Sequence, residues 1–369
     1  MPDGLNFSRR LRRTPYTDRA EAAGVRGFSV VNHMLLPKAY ARSVEEDYWH
    51  LREHVQVWDV ACQRQVEIWG PDAARLIQWM TPRDISRARV GDCLYLPVTD
   101  DRAGLVNDPV MLKLAEDRFW LSIADSDLLL YAAGLALGAR LDVGIAEPDV
   151  SPLAVQGPKA EALLAELFGA HVRGIGFFKF GWIDFHGTRQ LIARSGYSRQ
   201  GGFEIYLDGG HLGGALWDAV WQAGQAFDIA PGCPNLIERI EGGLLSYGNE
   251  MTRENNPLEM GLGRFCVPGA AGYLGRDALD LIAAAGVARE IRGVLFDGGP
   301  CPACAAPWPV RVGGQQVGRV TSAAWSPRLK RNVGLSLIDR AFWDPGQPVT
   351  VDSADGLRRD GEVSALPFA

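Results

Sequence analysis

Two stretches of this chain carry the same order of signals. Residues 65–69 alternate in a period of two and stop at Gly70-Pro71, after which Asp72 caps a helix running to Met80. Residues 153–156 form an apolar run that stops at Gly157-Pro158 in the same way. A glycine-proline pair ends a strand and turns the chain. The echo therefore predicts two related α+β units, and the irregular order of elements around it argues against a doubly wound parallel sheet. At 369 residues the chain is too long for one core, so two or three domains are expected.

The remaining signals fill in around the echo. Residues 28–36 read as a strand ended by Pro37, and 44–57 as a helix leading to Trp58-Asp59-Val60. Residues 95–98 and 105–114 read as strands joined by a turn at 99–104, a hairpin. A strand over 118–123 and a helix over 126–138 follow. Residues 235–248 read as a helix with an apolar face, and 261–285 as a glycine-rich connection and a helix that Gly286 ends. From Ile291 the chain turns into short strands, at 292–296, 310–312, 317–321, 333–338 and 349–351, punctuated by glycine and proline. That shift predicts a C-terminal β domain built as a small barrel. The expected parts are 1–60 with 150–260, a second α+β part at 61–149, and a linker helix with the barrel at 261–369.

Several function classes fall away. The formal charge is −6, whereas a nucleic-acid surface needs excess positive charge. No apolar run reaches the length of a membrane span. Arg9, Arg10, Arg12 and Arg13 are followed by no apolar segment, so they read as surface residues of the first folded element, not as a secretory signal. Six scattered cysteines fit reduced thiols in the cytoplasm. His50 and His54 match an H-x-x-E-H pattern with no third ligand in view, and read as a surface pair on a helix. Cys301 and Cys304 form a lone C-x-x-C in a proline-rich turn, so no metal is expected. The glycine loops that cradle nucleotide phosphates and the G-x-S-x-G elbow are missing from the sequence.

The stretch 194–207 is the richest in chemistry. A glycine-containing bend, with Gly196, Gly201 and Gly202, joins an apolar run at 191–193 to an alternating run in which Phe203, Ile205 and Leu207 interleave with Glu204 and Tyr206. The alternation puts a carboxylate and a phenol on one face and three apolar side chains on the other. Such a face suits a flat, hydrogen-bonding heterocycle as well as it suits an ordinary hairpin. Asn107-Asp108 interrupts an apolar strand, either as an edge made by Pro109 or as an acceptor aimed at a ligand nitrogen. Arg239 and Glu241 lie on the helix expected at 235–248, where the arginine could hold a ligand carboxylate or form an ion pair on the helix surface. Phe177, Phe178, Phe180, Trp182 and Phe185 read mostly as core, with some able to face an onium cation.

Taken together these stretches resemble the folate-dependent aminomethyltransferase family, the glycine-cleavage T-protein and its relatives. The matching pieces are Trp58-Asp59-Val60, Tyr95, residues 104–108, Gln156-Gly157-Pro158, residues 194–207, Arg239-Ile240-Glu241, Tyr247-Gly248, residues 256–259 and 275–279, residues 318–322, and Ser326-Pro327. They span nearly the whole chain in the family's order. Residues 8–10, 14–15, 32–37, 53–60 and 231–241 further resemble a branch of the family that removes a methyl group from a sulfonium acid.

The resemblance implies a three-domain cloverleaf around a central folate site: two α+β domains and a C-terminal β-barrel domain. It implies tetrahydrofolate as co-substrate, a small-molecule methyl donor, a cytoplasmic setting, and no nucleic-acid or membrane partner; a homodimer is compatible with it. Tyr95, Asp108, Tyr197, Glu204 and Arg239 are the implied folate residues. Glu204 would meet the N–H edge of the pterin and Tyr197 would stack or hydrogen-bond along the folate. Asp108 would be the catalytic group, orienting the folate or accepting its proton, and Arg239 would hold a carbonyl or carboxylate. Tyr206, Phe178 and Trp182 would face the donor.

The chain also departs from the family. Asn107 stands where the T-protein has an aspartate, and no arginine follows Phe368-Ala369, which argues against a lipoyl-carrier partner. Tyr197 and Val31 replace a tryptophan and a tyrosine of the demethylating branch, so these two positions bear on donor choice. Demethylation of an O- or N-methyl acid, and a non-catalytic folate-binding regulator, stay open as other readings.

Overall fold

The structure is a computed structural model and describes residues 8–267 and 272–368. It divides into two compact units. The first comprises Met1–Ile77, Ile85–Leu96 and Pro109–Asn235; the second comprises Gln78–Asp84, Pro97–Asp108 and Leu236–Ala369.

In the first unit a six-stranded sheet runs in the order Phe180–Phe185, Thr188–Ala193, Gly202–Asp208, Val150–Gln156, Val55–Asp59, Ile229–Gly232. All pairings are antiparallel except the last. One face packs on the helices Ala160–Phe168 and Gly213–Gly224 through Val55, Val57, Leu153, Phe203, Ile205, Leu163, Leu216 and Val220. Each such side chain contributes about 1.5–3 kcal/mol by leaving water. The opposite face, with Leu191, Ala193 and Tyr206, packs on Cys93, Leu112 and Trp120. These three belong to a five-stranded sheet ordered Gly144–Ala146, Gln65–Trp69, Arg118–Ser122, Val110–Ala115, Cys93–Tyr95. The unit is thus layered α+β, with both sheets inside it.

The echo extends to the backbone. Gly70 and Gly157 have φ of +114° and +118°. A β-carbon would lie 2.9 Å from the Asp142 carbonyl oxygen at the first and 2.4 Å from that of His54 at the second. Asp72 stands just before the helix Ala73–Met80, its carbonyl oxygen accepting from Leu76 N–H at 2.9 Å, and its carboxylate accepts from the Asp142 backbone N–H at 2.9 Å.

The second unit holds a closed barrel in the order Arg289–Phe296, Arg331–Asp339, Gln315–Ser326, Trp308–Val312, Pro348–Asp352, Arg358–Ser364. Val294, Phe296, Val310, Val320, Ile338 and Val351 fill it. Its last strand has no counterpart in the sequence reading, because Arg358, Arg359, Asp360 and Glu362 hide the alternation.

Four expected elements are corrected. Residues 28–36 form a hairpin of Gly27–Val31 and Met34–Ala39, with positive φ at both Asn32 and His33, the pattern of a two-residue type I′ turn. The helix expected over 44–57 is Val44–Glu53, opened by a Ser43–Glu46 capping box, and a wholly buried strand Val55–Asp59 follows. The single hairpin expected over 95–114 is two. Cys93–Tyr95 pairs with Val110–Ala115, and Val98–Thr99 with Leu105–Asn107. The breaks fall at Pro97 and Pro109, which have no N–H to continue a ladder. The helix expected over 235–248 is only Leu236–Glu241. Gly243 stops it at φ +65°, with Leu244 N–H on Arg239 O and Gly243 N–H on Ile240 O, a Schellman ending.

Candidate functional site

The strand Gly202–Asp208 lies inside the six-stranded sheet, and its residues 203–207 are buried because helices cover one face and the five-stranded sheet covers the other. Glu204 is 5% exposed and Tyr206 1%. Glu204 stands opposite Ala193 on one neighbouring strand and Ala154 on the other. One strand further out, Phe180 pairs with Ala193 and Trp58 with Ala154. The carboxylate therefore sits in a row of small side chains bounded by two aromatic ones. Opposed side chains in such rows are about 4.5–5.5 Å apart at Cβ.

Burial raises the Glu204 pKa, and hydrogen bonds from Ser195 and Tyr206 work against that rise. Both bonds end on one oxygen. The Ser195 hydroxyl donates to Oε2, and the Tyr206 hydroxyl approaches the same atom at 3.5 Å. A buried carboxylate with both of these donors on Oε2 can still accept an N–H of a ligand at Oε1.

The bend before this strand is held by Gln156, whose only local signal is the Gln-Gly-Pro turn that follows it. The Gln156 amide donates to the carbonyl oxygens of Ser195 (3.1 Å) and Phe203 (3.2 Å), and its Oε1 accepts from the Ser198 hydroxyl (2.7 Å). Gly157 N–H adds a bond to Gly201 O. Tyr197 rides on this bend, half-buried. No periodicity signals this role for Gln156; it follows from strand pairing between distant segments.

The three aromatics assigned to the donor side do come together. Phe178 and Trp182 pack against the cluster formed by Tyr206, Trp120, Leu191 and Ala193. The Arg189 guanidinium lies 4.8 Å from the Trp182 ring centroid, so that ring already faces a cation. Tyr95 ends the strand Cys93–Tyr95 and is half-buried, opposite Val110. Val31 ends the first strand of the 27–39 hairpin, paired with Met34.

In the second unit, Asp108 follows the strand Leu105–Asn107 and is half-buried, while Asn107 is fully buried. The Tyr247 hydroxyl donates to Leu105 O at 2.9 Å. Burial, and after it the nearby negative charge of Asp108, pushes that phenol up to about 12. Asp100 fixes the turn before the strand, accepting from the N–H groups of Arg102 and Gly104 and pairing with Arg253.

Arg239 is buried, so it forms no ion pair on the helix surface. Its guanidinium donates to Leu244 O (3.0 Å), Glu250 Oε2 (2.8 Å) and Ser322 Oγ (2.6 Å). Glu250 also accepts from Ser246 N–H and from the Ser322 hydroxyl. Glu241 turns to the barrel, accepting from Ser326 (2.5 Å) and Arg328 (3.0 Å).

The two histidines of the H-x-x-E-H pattern gather around Asp228. His50 Nε2 is 2.9 Å from its carbonyl oxygen and His54 Nδ1 is 3.3 Å from its carboxylate. Burial brings His50 down to about 4, so it is neutral at pH 7.

Among the described residues, no helix is long and apolar enough to cross a membrane. The family model described as the GCVT N-terminal domain matches residues 16–268, and that of the glycine cleavage T-protein C-terminal barrel domain matches residues 289–369. The chain is 52% identical, over 95% of its length and 96% of the relative's, to the dimethylsulfoniopropionate demethylase DmdA of Ruegeria pomeroyi. It is 29% identical to an aminomethyltransferase of Moorella thermoacetica, covering 97% of this chain and 98% of that one. The crystal structure of the glycine cleavage system aminomethyltransferase T from Bartonella henselae matches its fold with a TM-score of 0.87, at 24% identity, over 97% of this chain and 98% of that one.

Proposed function

This chain belongs to the glycine cleavage T-protein family, and from that premise we propose that it moves a methyl group from dimethylsulfoniopropionate to N5 of tetrahydrofolate, forming 3-methylthiopropionate and 5-methyltetrahydrofolate. The observation that carries this reading is the 52% identity to the demethylase across 95% of the chain.

The first unit offers what a pterin needs. Glu204 is a buried carboxylate flanked by alanines, and a hydrogen-bond acceptor of this kind suits the pterin's N–H edge. Ser195 and Gln156 hold that carboxylate and the bend beside it. Tyr197 and Tyr95, both half-buried, suit stacking or hydrogen bonding along the folate. Tetrahydrofolate supplies the nucleophile that takes the methyl group, and it loses one proton.

The carbon–sulfur bond of a sulfonium breaks with its electron pair on sulfur, so a neutral thioether leaves. The protein need supply neither a metal nor a covalent nucleophile, and its contribution is alignment. Asp108 is assigned the orientation of the folate or acceptance of its proton. Arg239 is assigned the folate's carbonyl or carboxylate. Phe178, Trp182 and Tyr206 are assigned to the donor side, where aromatic faces attract an onium group. The parts that carry these roles are 1–60 with 150–260, 61–149 and 261–369, a division supported by the separate six-stranded sheet, five-stranded sheet and barrel. Free thiols at all six cysteines fit a cytoplasmic setting.

The test is direct. Purified protein with tetrahydrofolate and dimethylsulfoniopropionate should yield 3-methylthiopropionate and 5-methyltetrahydrofolate, seen by chromatography and by the absorbance of the folate product. Turnover of an O- or N-methyl acid in its place would move the assignment to another donor. Folate binding with no turnover of any donor would make the chain a regulator.

A further inference from the structure

The helix Leu128–Ala139 contains no charged residue. Leu128, Ala132 and Ala136 form its buried stripe. On the other side Leu130 is 69% and Leu137 82% exposed, with exposed Ala133 and Gly134 between them. A helix apolar all round is ordinarily covered all round. Its glycines sharpen the point. Glycine weakens a helix relative to alanine, yet a β-carbon on Gly134 or Gly138 would meet nothing within 4 Å in this chain. The chain's own packing does not require them, whereas close approach of another backbone would.

We propose that this face is covered by a second copy of the chain, packed antiparallel about a two-fold axis between positions 133 and 134. A two-fold interface must be self-complementary: if one residue meets a second, the second must meet the first. The exposed face of this helix satisfies that condition from end to end. In the antiparallel register Leu130 of each copy faces Leu137 of the other, and Ala133 faces Gly134. At the ends Asp127, the residue before the helix, faces Arg140, the residue after it, and both are exposed. Opposite charges therefore meet at both rims around an uncharged centre. A single helix pair covers less than the roughly 800 Å² per partner of a standard interface, so the association is reversible and concentration-dependent. The inference is independent of the reaction assigned above.

Sedimentation velocity on the full-length protein over a concentration series tests it. The wild type should pass from one copy to two as concentration rises. Leu137→Glu, with an unchanged circular dichroism spectrum, should stay a single copy throughout. Asp127→Arg should weaken the dimer at least tenfold, and adding Arg140→Asp to it should restore the association. Gly134→Ala should raise the melting temperature of the single copy and weaken the dimer. A wild type that stays a single copy up to its solubility limit, or a dimer untouched by Leu137→Glu, overturns the proposal. Failure of the double charge exchange to restore association overturns the antiparallel register.

Discussion

A β-carbon on Gly196 would fall 2.1 Å from Oε1 of Gln156. The bend that carries Tyr197 and the amide that holds it thus occupy adjoining space with no room for a methyl group. Gly196 also has φ of +151°, where side chains are strained.

Gly196→Ala should therefore displace Gln156 and loosen the bend. The cost to stability should be about 1–3 kcal/mol, the usual range for strain at such a position. The KM for tetrahydrofolate should rise at least tenfold with a smaller change in kcat, as read from initial rates at varied folate. An unchanged KM would show that the bend does not contact the folate.

Glu204→Gln separates activity from stability. Burial raises the Glu204 pKa, so the folded chain binds a proton there more tightly than the unfolded chain does. Above its folded pKa the ionised carboxylate subtracts stability, and the loss fades as pH falls. A neutral glutamine of the same shape should raise the melting temperature at pH 8. It should also lower kcat/KM for tetrahydrofolate by about 10- to 100-fold, the worth of one charged hydrogen bond. A fall in both quantities would count against this role.

Asp59 provides a pH signature away from the site. It is buried, with Thr14 donating to Oδ2 at 2.5 Å and Ala61 N–H to Oδ1 at 3.2 Å. Burial outweighs both and pushes the carboxyl up to about 7 from its ordinary 3.8. The folded state then holds the extra proton between those values, so stability rises as pH falls through about 7 and levels off below the unfolded pKa. Asp59→Asn should remove this term. Melting curves should show the advantage of the variant over the wild type growing as pH rises from about 3.8 to about 7 and holding constant above. A difference that is constant across that window would mean that Asp59 does not titrate there.

Arg239→Ala would leave the buried Glu250 without its arginine. Breaking a buried pair in this way costs about 3–5 kcal/mol, whereas Ser322→Ala removes hydroxyl bonds to the cluster and should cost about 1–3 kcal/mol. Urea unfolding followed by the fluorescence of Trp308 and Trp325, with the other tryptophans replaced, would read the second unit. Equal effects of the two substitutions would show that the pair contributes little.

Much of this architecture was legible because local signals and tertiary structure agree. The alternation at 203–207, the two Gly-Pro strand ends and the start of the barrel depend on period and turn chemistry, which a short window contains. What a window lacks is the layer that covers a face. Glu204 and Tyr206 alternate as though half the strand met solvent, yet the five-stranded sheet buries that half. The same blindness made Arg239 readable as a surface residue. The helix expected over 235–248 ran too long because apolar residues continue past Gly243, where backbone conformation rather than hydropathy stops it. Gln156 gave no sign of its role, since its three partners lie about forty residues downstream and meet it only through strand pairing.

The division of the chain between its units has a consequence for inheritance. The boundaries fall after Ile77, Asp84, Leu96, Asp108 and Asn235, so the polypeptide passes from one unit to the other five times. No single break in the coding sequence yields two self-sufficient halves. A recombination or truncation anywhere between the first and last crossing would leave both incomplete. Such a pair cannot be shuffled among genes as interchangeable modules; it is copied whole or lost whole, and diversification is left to substitutions within it.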